Sequence, residues 1–404
     1  MILGIDASQA NRQIRSGTEW YAFHLLQEFK KLLAHRKDIE VRLYVRGALQ
    51  ADLAAGLPEN FQVKILRWPL KYFWGQLRLS FEMLINPPDV LFCPAHTIPL
   101  TPALSRKGRG RIRVFTTLHD VGFEDYPELY DKLSLWYHRW AARMAVKNVV
   151  FIFTISEFSK ERIIENYNCD PDRITVTHLG VVPKRSAERF GTIENKFGLR
   201  NKNYLLFVGR LEPKKNIANI IRAFEMLTPS FISPSRGGER EEVAENPFLV
   251  LAGRKLMDIP ASPEIKFLNY VSEEDKWSLY RGAAIFLFPT LYEGFGLPIL
   301  EAQACETPVL TSNTGSNPEI AGQGAFIVNP DSPYEIAQAV KELLANQALR
   351  EEKIKLGLEN IKRFSWEETA KKTLEIILSS RTCLPASGGI RDPGLDSSAL
   401  GGRE

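Results

Sequence analysis

The chain has 404 residues, enough for two or three domains with substantial cores, and its 44% apolar and 25% charged residues are typical of a globular protein. A net charge of +4 is too small and too dispersed to indicate a nucleic-acid-binding surface. The four cysteines are scattered without a C-x-x-C pair, and no signal pattern or membrane-length apolar run is present, so we expect a cytoplasmic protein without a disulfide framework or structural zinc.

In the first 180 residues, short apolar runs alternate with amphipathic segments of helix length. This pattern predicts strands near 1–6, 40–45, 89–92, 112–118, 150–154 and 173–177, and helices near 18–35, 131–147 and 157–167. The polar segment 180–200 lacks a clear strand, so we place the hinge there and the first domain at residues 1–182.

The same alternation returns after the hinge. We expect strands near 204–208, 248–252, 265–268, 284–288, 308–311 and 325–328, and helices near 217–227, 273–281, 298–305 and 334–346. The second domain is therefore placed at residues 190–362, and a last helix at 366–380 is a candidate to cross back to the first domain. Two successive series of strands and helices predict an α/β protein with two Rossmann-like parallel-sheet domains that face each other across a cleft.

Three stretches break this pattern because they are rich in Gly, Pro, Ser and charge. They are 100–111, an inserted loop at 229–247, and the tail at 381–404. Such compositions predict solvated loops or disorder, and we assign them no role in chemistry.

Two segments of the first domain interleave aromatic and basic residues. They are "RWPLKYFWGQLR" (67–78) and "WYHRWAARMAVK" (136–147). This mixture is typical of interfacial helices and predicts a peripheral contact with an anionic membrane. The alternative, that the aromatic side chains belong to the core, stays open.

The stretch "YEGFGLPILE" (292–301) holds two glutamates on either side of a turn. Its glycines disfavour a helix interior, whereas Pro298 suits a helix start, so we expect a loop with Glu293 and a helix with Glu301. The amides before this helix are free to bind an anion such as phosphate. Those amides belong to Phe295, Gly296 and Leu297.

A second turn, "LLFVGRLEPKKNI" (205–217), supplies positive charge. Arg210 directly follows a predicted strand, and Lys215 lies at the start of the next helix. Ligands of open α/β sheets bind beyond the carboxyl ends of the strands, which is where both turns lie. Two cations on one turn and free amides on another are suited to hold one diphosphate.

Further motifs accompany these two turns. They are "SGTEWYAFHLL" (16–26), "TTLHD" (116–120), "FTISEFSKERI" (153–163), "PVLTSNTGSNPEIAG" (308–322) and "VNPDSPYEIAQAV" (328–340). Together with "VGRLEPKKN" and "EGFGLPILE", they resemble the motifs of retaining glycosyltransferases of family 4, in the group 1 superfamily, which have the GT-B fold. The resemblance covers roughly residues 1–228 and 248–380.

The resemblance implies a role for each matching charged residue. Arg210 and Lys215 correspond to the cationic pair that holds the donor diphosphate and stabilises it as a leaving group. Glu301 corresponds to the carboxylate that binds the ribose, and Glu293 to the one that faces the transferred sugar. His119, at a strand end, corresponds to a histidine that reaches the donor sugar from the other domain.

The other donor-binding positions that the resemblance implies are Gly17, Gly209, Gly294, Phe295, Gly296 and Leu297. Gly17 corresponds to a glycine loop beside the phosphates and the acceptor. Ser16 precedes it where the family commonly has a second glycine, so the geometry of that loop is expected to differ.

The implied reaction is the transfer of a hexose, of the mannose or glucose type, from a GDP- or UDP-linked donor to a hydroxyl of a glycan or lipid-linked acceptor, with retention. The resemblance implies no cofactor and no metal, and the motifs favour a mannosyltransferase of cell-surface polysaccharide, lipopolysaccharide or glycolipid assembly, in the cytoplasm or at the inner face of the membrane. Asp170-Pro171-Asp172 resembles a metal-binding D-x-D motif, but its composition predicts a turn.

Two alternatives stay open for the function. One is a nucleotide-sugar epimerase of the same fold, and the other is a catalytically silent nucleotide-sugar-binding protein. An NAD-dependent oxidoreductase is disfavoured because no G-x-G-x-x-G follows the first strand.

Overall fold

The computed structural model describes residues 1–70, 73–100, 112–182, 196–232, 247–259 and 262–379. Most of the low-complexity loops at 100–111 and 229–247, most of the hinge, and the tail at 381–404 lie outside these ranges. Within them, no helix combines the length and the apolar character needed to cross a bilayer.

The first half of the chain forms a parallel sheet flanked by helices. Its strands are β1 (Ile2–Asp6), β2 (Glu40–Val45), β3 (Phe61–Ile65), β4 (Val90–Cys93), β5 (Arg113–Thr117), β6 (Phe151–Thr154) and β7 (Ile174–Val176). Its helices are α1 (Gly17–Leu33), α2 (Ala51–Ala54), α3 (Ser80–Ile85), α4 (Gly122–Asp125), α5 (Lys132–Asn148) and α6 (Glu157–Tyr167). The seven strands pair in the order β3-β2-β1-β4-β5-β6-β7.

The second half repeats this architecture. Its strands are β8 (Tyr204–Val208), β9 (Phe248–Ala252), β10 (Ile265–Leu268), β11 (Ile285–Phe288), β12 (Val309–Ser312) and β13 (Ala325–Val328). Its helices are α7 (Ile217–Ile232), α8 (Glu273–Gly282), α9 (Leu297–Ala304), α10 (Asn317–Ala321), α11 (Pro333–Ala345) and α12 (Gln347–Asn360). The parallel order is β10-β9-β8-β11-β12-β13, so the predicted fold class is confirmed.

Several elements were not predicted, and the start of α9 shifts. The missed elements are β3, α12 and the short helices α2, α3, α4 and α10. Strand β3 was missed because "FQVKI" is short and half polar, and only its first residue is buried. Helix α12 was missed because its sequence has almost no apolar face, and its buried residues are Gly357 and Asn360. Helix α9 begins at Leu297, so Pro298 occupies its second position and not its first.

The last helix of the described chain, α13 (Trp366–Ser379), lies on the first half of the molecule. Trp366, Ala370 and Leu374 are buried in the same apolar cluster as residues of α1 and β1. In addition, Lys372 Nζ donates a hydrogen bond to the Val176 carbonyl of β7 at 2.8 Å. The chain therefore crosses between the two sheets twice.

The two aromatic and basic segments have both buried and exposed side chains. In the first, a π-helical turn spans Trp74–Leu79, and Trp74 is buried with its indole N–H donating to the Leu66 carbonyl at 2.9 Å. Half of the residues of this turn are buried, which agrees with the alternative of core packing for those side chains, and the membrane contact stays a prediction. Phe73 and Leu77 nevertheless remain more than half exposed.

The order of each sheet determines where a ligand can bind. In the second sheet, β8 lies beside both β9 and β11, and the connections after β8 and β11 leave the sheet at adjacent points. Such a switch in strand order opens a crevice at the carboxyl ends of the strands. The turns that carry Arg210 and Glu293 follow these two strands. The sheet order thus brings together two turns that are about 80 residues apart in the chain.

Candidate active site

The first turn of the site follows β8. Gly209 has a φ of +155°, which favours glycine, and its amide donates to the Ala252 carbonyl of β9 at 2.9 Å. The Arg210 side chain is 62% exposed, and its nearest carboxylate is that of Glu212 at 3.4 Å. Lys215 ends a short 3₁₀ turn. The guanidinium is therefore available to an incoming anion without breaking a buried contact.

Lys215 and Glu293 form an ion pair between the two turns. Lys215 Nζ contacts Glu293 Oε1, and only 13% of each side chain is exposed. The sequence predicted both residues in one site but assigned them to different parts of a ligand. The structure shows that, in the protein alone, each neutralises the charge of the other.

The second turn leads from Glu293 into α9. Gly296 precedes the helix with a φ of +96°, and this backbone conformation favours glycine. Among the described residues, none accepts a hydrogen bond from the Phe295 or Gly296 amide, and the Leu297 amide opens the helix, where it has no intrahelical acceptor. The Phe295 side chain is buried between domains, 5.9 Å from the ring of Phe364. The amides of this turn can thus bind an anion while Phe295 anchors the turn.

Glu301 lies one turn inside α9 with both carboxylate oxygens engaged. Lys276 Nζ donates to Oε1 at 2.8 Å, and the Tyr280 hydroxyl donates to Oε2 at 2.9 Å. Burial lowers the pKa of Lys276, but the carboxylates of Glu301 and Glu273 outweigh it and raise that pKa overall. The two donors fix the orientation of Glu301, and a ligand hydroxyl would have to share or replace them.

Lys276 and Tyr280 were missed in the sequence. Their spacing of four places them on one face of α8, which the sequence does show. What it does not show is that this face packs beside α9, because that contact depends on how both helices sit on the sheet.

A cavity of about 100 Å³ lies beside Glu301 and Lys276, between the two halves of the molecule. From the first half, α1 contributes Trp20 and His24, and α13 contributes Trp366. The His24 ring stacks between the two indoles, at 5.4 Å from Trp20 and 5.0 Å from Trp366. The cavity therefore combines a carboxylate that can accept hydroxyl protons with flat aromatic walls.

His119 lies in the first half, two residues after β5 and directly before Asp120. Its Nε2 lies 3.2 Å from the Pro94 carbonyl, and burial lowers the pKa of the imidazole, which favours the neutral form at neutral pH. Burial raises the pKa of the adjacent Asp120, but the Gly122 amide and nearby basic groups outweigh it and lower that pKa overall. A Cβ on Gly294 would lie 2.7 Å from Asp120 Cβ, so Asp120 contacts the turn that carries Glu293.

Gly17 is the predicted site residue with the weakest structural link to the others. It begins α1 and is exposed, and a Cβ added to it would meet no atom within 4 Å. Contacts among the described residues connect it to none of the other predicted site residues. Its predicted role beside the phosphates stays a prediction.

The D-x-D pattern forms a turn. The Asp170 side chain accepts a hydrogen bond from the Asp172 amide at 3.1 Å and caps a 3₁₀ turn. Across the ranges that the structure describes, no group of three or more His, Cys, Asp or Glu side chains is arranged to bind a metal ion.

Comparison with known proteins gives the family. The family model described as "Glycosyltransferase Family 4" matches residues 15–185, and that described as "Glycosyl transferases group 1" matches residues 190–359. O-antigen chain mannosyltransferase B of Escherichia coli is 33% identical over 273 residues, which are 65% of this chain and 69% of the relative. The chain belongs to glycosyltransferase family 4.

A second relative matches most of this family 4 glycosyltransferase, and two solved structures share its fold. The O-antigen chain mannosyltransferase RfbU of Salmonella typhimurium is 26% identical over 344 residues, covering 81% of this chain and 88% of that protein. Sucrose-phosphate synthase from Thermosynechococcus elongatus has a similar fold, with a TM-score of 0.67 at 15% identity over 94% of this chain and 99% of that chain. HepE from Anabaena, solved with UDP and glucose, has a TM-score of 0.66 at 17% identity, over 94% of this chain and 99% of that chain. The predicted family and GT-B fold are confirmed.

Proposed function

We propose that this glycosyltransferase moves a hexose, of the mannose type, from a nucleotide diphosphate sugar to an acceptor hydroxyl with retention at the anomeric carbon. The observation that carries the proposal is the Lys215–Glu293 pair at the switch point of the second sheet, on a turn that Asp120 contacts from the first half. The relatives named O-antigen chain mannosyltransferases support mannose and cell-surface polysaccharide. HepE, solved with UDP-glucose, supports a nucleotide-linked donor.

The charged groups divide the donor between them. Arg210 and Lys215 bind the diphosphate and stabilise the negative charge that develops as the bond to the sugar breaks, which is the largest electrostatic demand of such a reaction. On donor binding, the Lys215 ammonium turns from Glu293 to phosphate and leaves that carboxylate for the sugar. Because two fixed cations neutralise the leaving group, transfer needs no metal.

The remaining groups orient the donor. Glu301 accepts hydrogen bonds from the ribose hydroxyls, and the neutral His119 imidazole hydrogen-bonds to a hydroxyl of the sugar. The free amides of Phe295 and Gly296 bind phosphate and sugar. With the cleft closed, water that would hydrolyse the donor is excluded.

A donor panel tests this proposal. GDP-mannose, GDP-glucose, UDP-glucose and UDP-galactose are each added to the purified protein, and the melting temperature is measured, since a ligand at about 100 times its Kd stabilises by about 2.7 kcal/mol. We expect GDP-mannose to raise the melting temperature, and the anomeric proton of the product to show the donor's configuration by NMR. No stabilisation by any nucleotide sugar, or an inverted product, would overturn the proposal.

We also propose that the enzyme contacts an anionic membrane through the exposed face of α5. Leu133 is 75% exposed and Trp136 60%, and the rings of Trp136 and Trp140 stack at 6.2 Å. Arg143 and Lys147, also exposed, follow on the same helical face. A face with aromatic and apolar side chains at one end and basic ones at the other suits the headgroup region of a bilayer.

The π-helical turn extends this face. Gln76 Nε2 donates to the Tyr137 hydroxyl of α5 at 2.6 Å, which joins the two elements, and Phe73 and Leu77 remain exposed beside them. A lipid-linked acceptor would then approach the first domain from the bilayer. This supports a location at the inner face of the cytoplasmic membrane.

Vesicle sedimentation tests the membrane contact. The protein should sediment with phosphatidylglycerol vesicles at low salt and be released at high salt, because electrostatic attraction supplies part of the affinity. Leu133→Ser/Trp136→Ser should weaken sedimentation, whereas Tyr334→Ser, an exposed aromatic of the other domain, should not. Equal sedimentation of both variants, or none by the wild type, would refute this contact.

A further inference from the structure

Two serines of the first domain bind the turn that carries Glu293. The Gly294 carbonyl accepts a hydrogen bond from Ser156 Oγ at 2.6 Å and another from Ser159 Oγ at 3.1 Å. Both serines are fully buried and lie at the start of α6, whereas Gly294 follows β11 of the other sheet. Both lone pairs of this carbonyl are therefore used across the interface between the domains.

The preceding carbonyl, that of Glu293, is bound from within the second domain. The Glu293 carbonyl accepts hydrogen bonds from the Ser316 amide at 3.2 Å and from Ser316 Oγ at 3.0 Å, both within the second domain. Gly315 has a φ of +62°, and a Cβ there would lie only 3.0 Å from the Glu293 backbone. Two consecutive peptide groups are thus fixed by two different domains. Gly294 lies between them, and Glu293 directly precedes it.

A third contact joins α6 to the second domain. The Glu319 carboxylate accepts hydrogen bonds from the Glu157 amide at 3.0 Å and the Phe158 amide at 3.3 Å, at the first turn of α6. It also lies 2.8 Å from His178 Nε2. These bonds hold the start of α6 against the second domain, so the position of Ser156 and Ser159 depends on how closely the two domains approach.

We propose that Ser156 and Ser159 are positioning residues that couple closure of the cleft to the orientation of Glu293. This inference rests on the proposed function, in which Glu293 faces the transferred sugar. When the domains close, the two hydroxyls bind the Gly294 carbonyl and hold the turn in the geometry that the transition state requires. When the domains separate, both bonds are lost and the turn is held from one side only. A displacement of this turn would lower the rate of transfer, because catalysis depends on the alignment of the reacting groups.

Ser159→Ala gives the cleanest test. Ser156 Oγ accepts from the Ser159 amide at 3.0 Å and caps α6, and this cap remains when the Ser159 hydroxyl is removed. We expect Ser159→Ala to lower kcat about fivefold, the loss typical of one hydrogen bond, with the donor Kd nearly unchanged. The double variant Ser156→Ala/Ser159→Ala should lose more than tenfold in kcat. Ser156→Thr keeps a hydroxyl that can cap and donate, and it should retain the wild-type rate.

A matched control separates positioning from stability. Asn346 caps α12 on the exposed surface of the second domain, where its side chain accepts a hydrogen bond from the Leu349 amide at 3.0 Å. Asn346→Ala removes this cap. This control variant should have a lower melting temperature, as Ser156→Ala/Ser159→Ala should, because both lose a helix cap. Its kcat should remain that of the wild type. A fall in kcat that tracks the melting temperature in all variants would overturn the proposal.

Hydrogen exchange provides a readout that does not need activity. The Ser316 amide, which donates to the Glu293 carbonyl, should exchange faster in Ser156→Ala/Ser159→Ala than in the wild type, because the turn that supplies its acceptor has lost its contacts with α6. An exchange rate that is the same in the double variant and the wild type would overturn the positioning role, whether or not the protein transfers a hexose. If the wild type transfers no hexose, but exchange is still faster in the double variant than in the wild type, only the proposed function is contradicted.

Discussion

Lys215→Met tests the ion pair that joins the two strand-end turns. The substitution removes the ammonium group and keeps a chain of similar length, so the Glu293 carboxylate loses its partner while only 13% of its side chain is exposed. Removing one member of a buried pair typically costs about 3–5 kcal/mol, because a charge is left uncompensated. Since this pair borders the cleft, which water can enter, we expect a loss of about 3 kcal/mol in the free energy of unfolding.

Urea unfolding of the wild type, both single variants and the double variant Lys215→Met/Glu293→Gln measures how the two charges are coupled. The double variant keeps neither charge, so it should recover to within about 1 kcal/mol of the wild type. A double variant as unstable as Lys215→Met would refute the reasoning, because the loss would then come from packing and not from an unpaired carboxylate.

Activity should not follow stability in this set. The double variant still lacks two groups that act on the donor in the proposed function, so its kcat should stay at least about 10²-fold below the wild type while its stability returns. Initial rates at saturating donor and acceptor give this comparison. Transfer that recovers together with stability would mean that the pair supports the fold and not the reaction.

Three further outcomes can be measured separately. Glu301→Gln should mainly raise the donor KM, by roughly tenfold, because the nucleotide end of the donor does not change during the reaction; a loss confined to kcat would contradict this. Transfer should survive EDTA, since Arg210 and Lys215 supply the positive charge, and a complete loss that Mn²⁺ restores would argue for a metal. Burial raises the pKa of Glu319, but hydrogen bonds from His178 and the α6 amides outweigh it and lower that pKa below 4.5. A lowered pKa in the folded state stabilises above the unfolded value, and this contribution is lost as the pH falls through the folded value. The melting temperatures of Glu319→Gln and the wild type should therefore differ at pH 7 and converge well below pH 4.5, and a constant difference would contradict this.

The sequence by itself determined the fold class and the family, and it predicted most of the charged residues of the candidate site. Strands such as "YLLFV" (204–208) are buried along their whole length, so they appear in the sequence as uninterrupted apolar runs. The turns after them stand out because glycine, proline and charged residues follow such a run directly. Arg210, Glu293 and His119 could therefore be predicted as strand-end residues without knowledge of the strand order.

Only the tertiary structure decided which of these residues meet. The strand order places β8 beside β11, which pairs Lys215 with Glu293 across 78 positions of the chain. The packing of α8 beside α9 supplies Lys276 and Tyr280 to Glu301. The approach of α6 to the second domain brings Ser156 to the Gly294 carbonyl, and no local pattern marks that serine as more than a helix cap. The physical reason is that these contacts depend on the relative positions of whole elements, which are set by the burial of two separate cores and not by the spacing of residues along the chain.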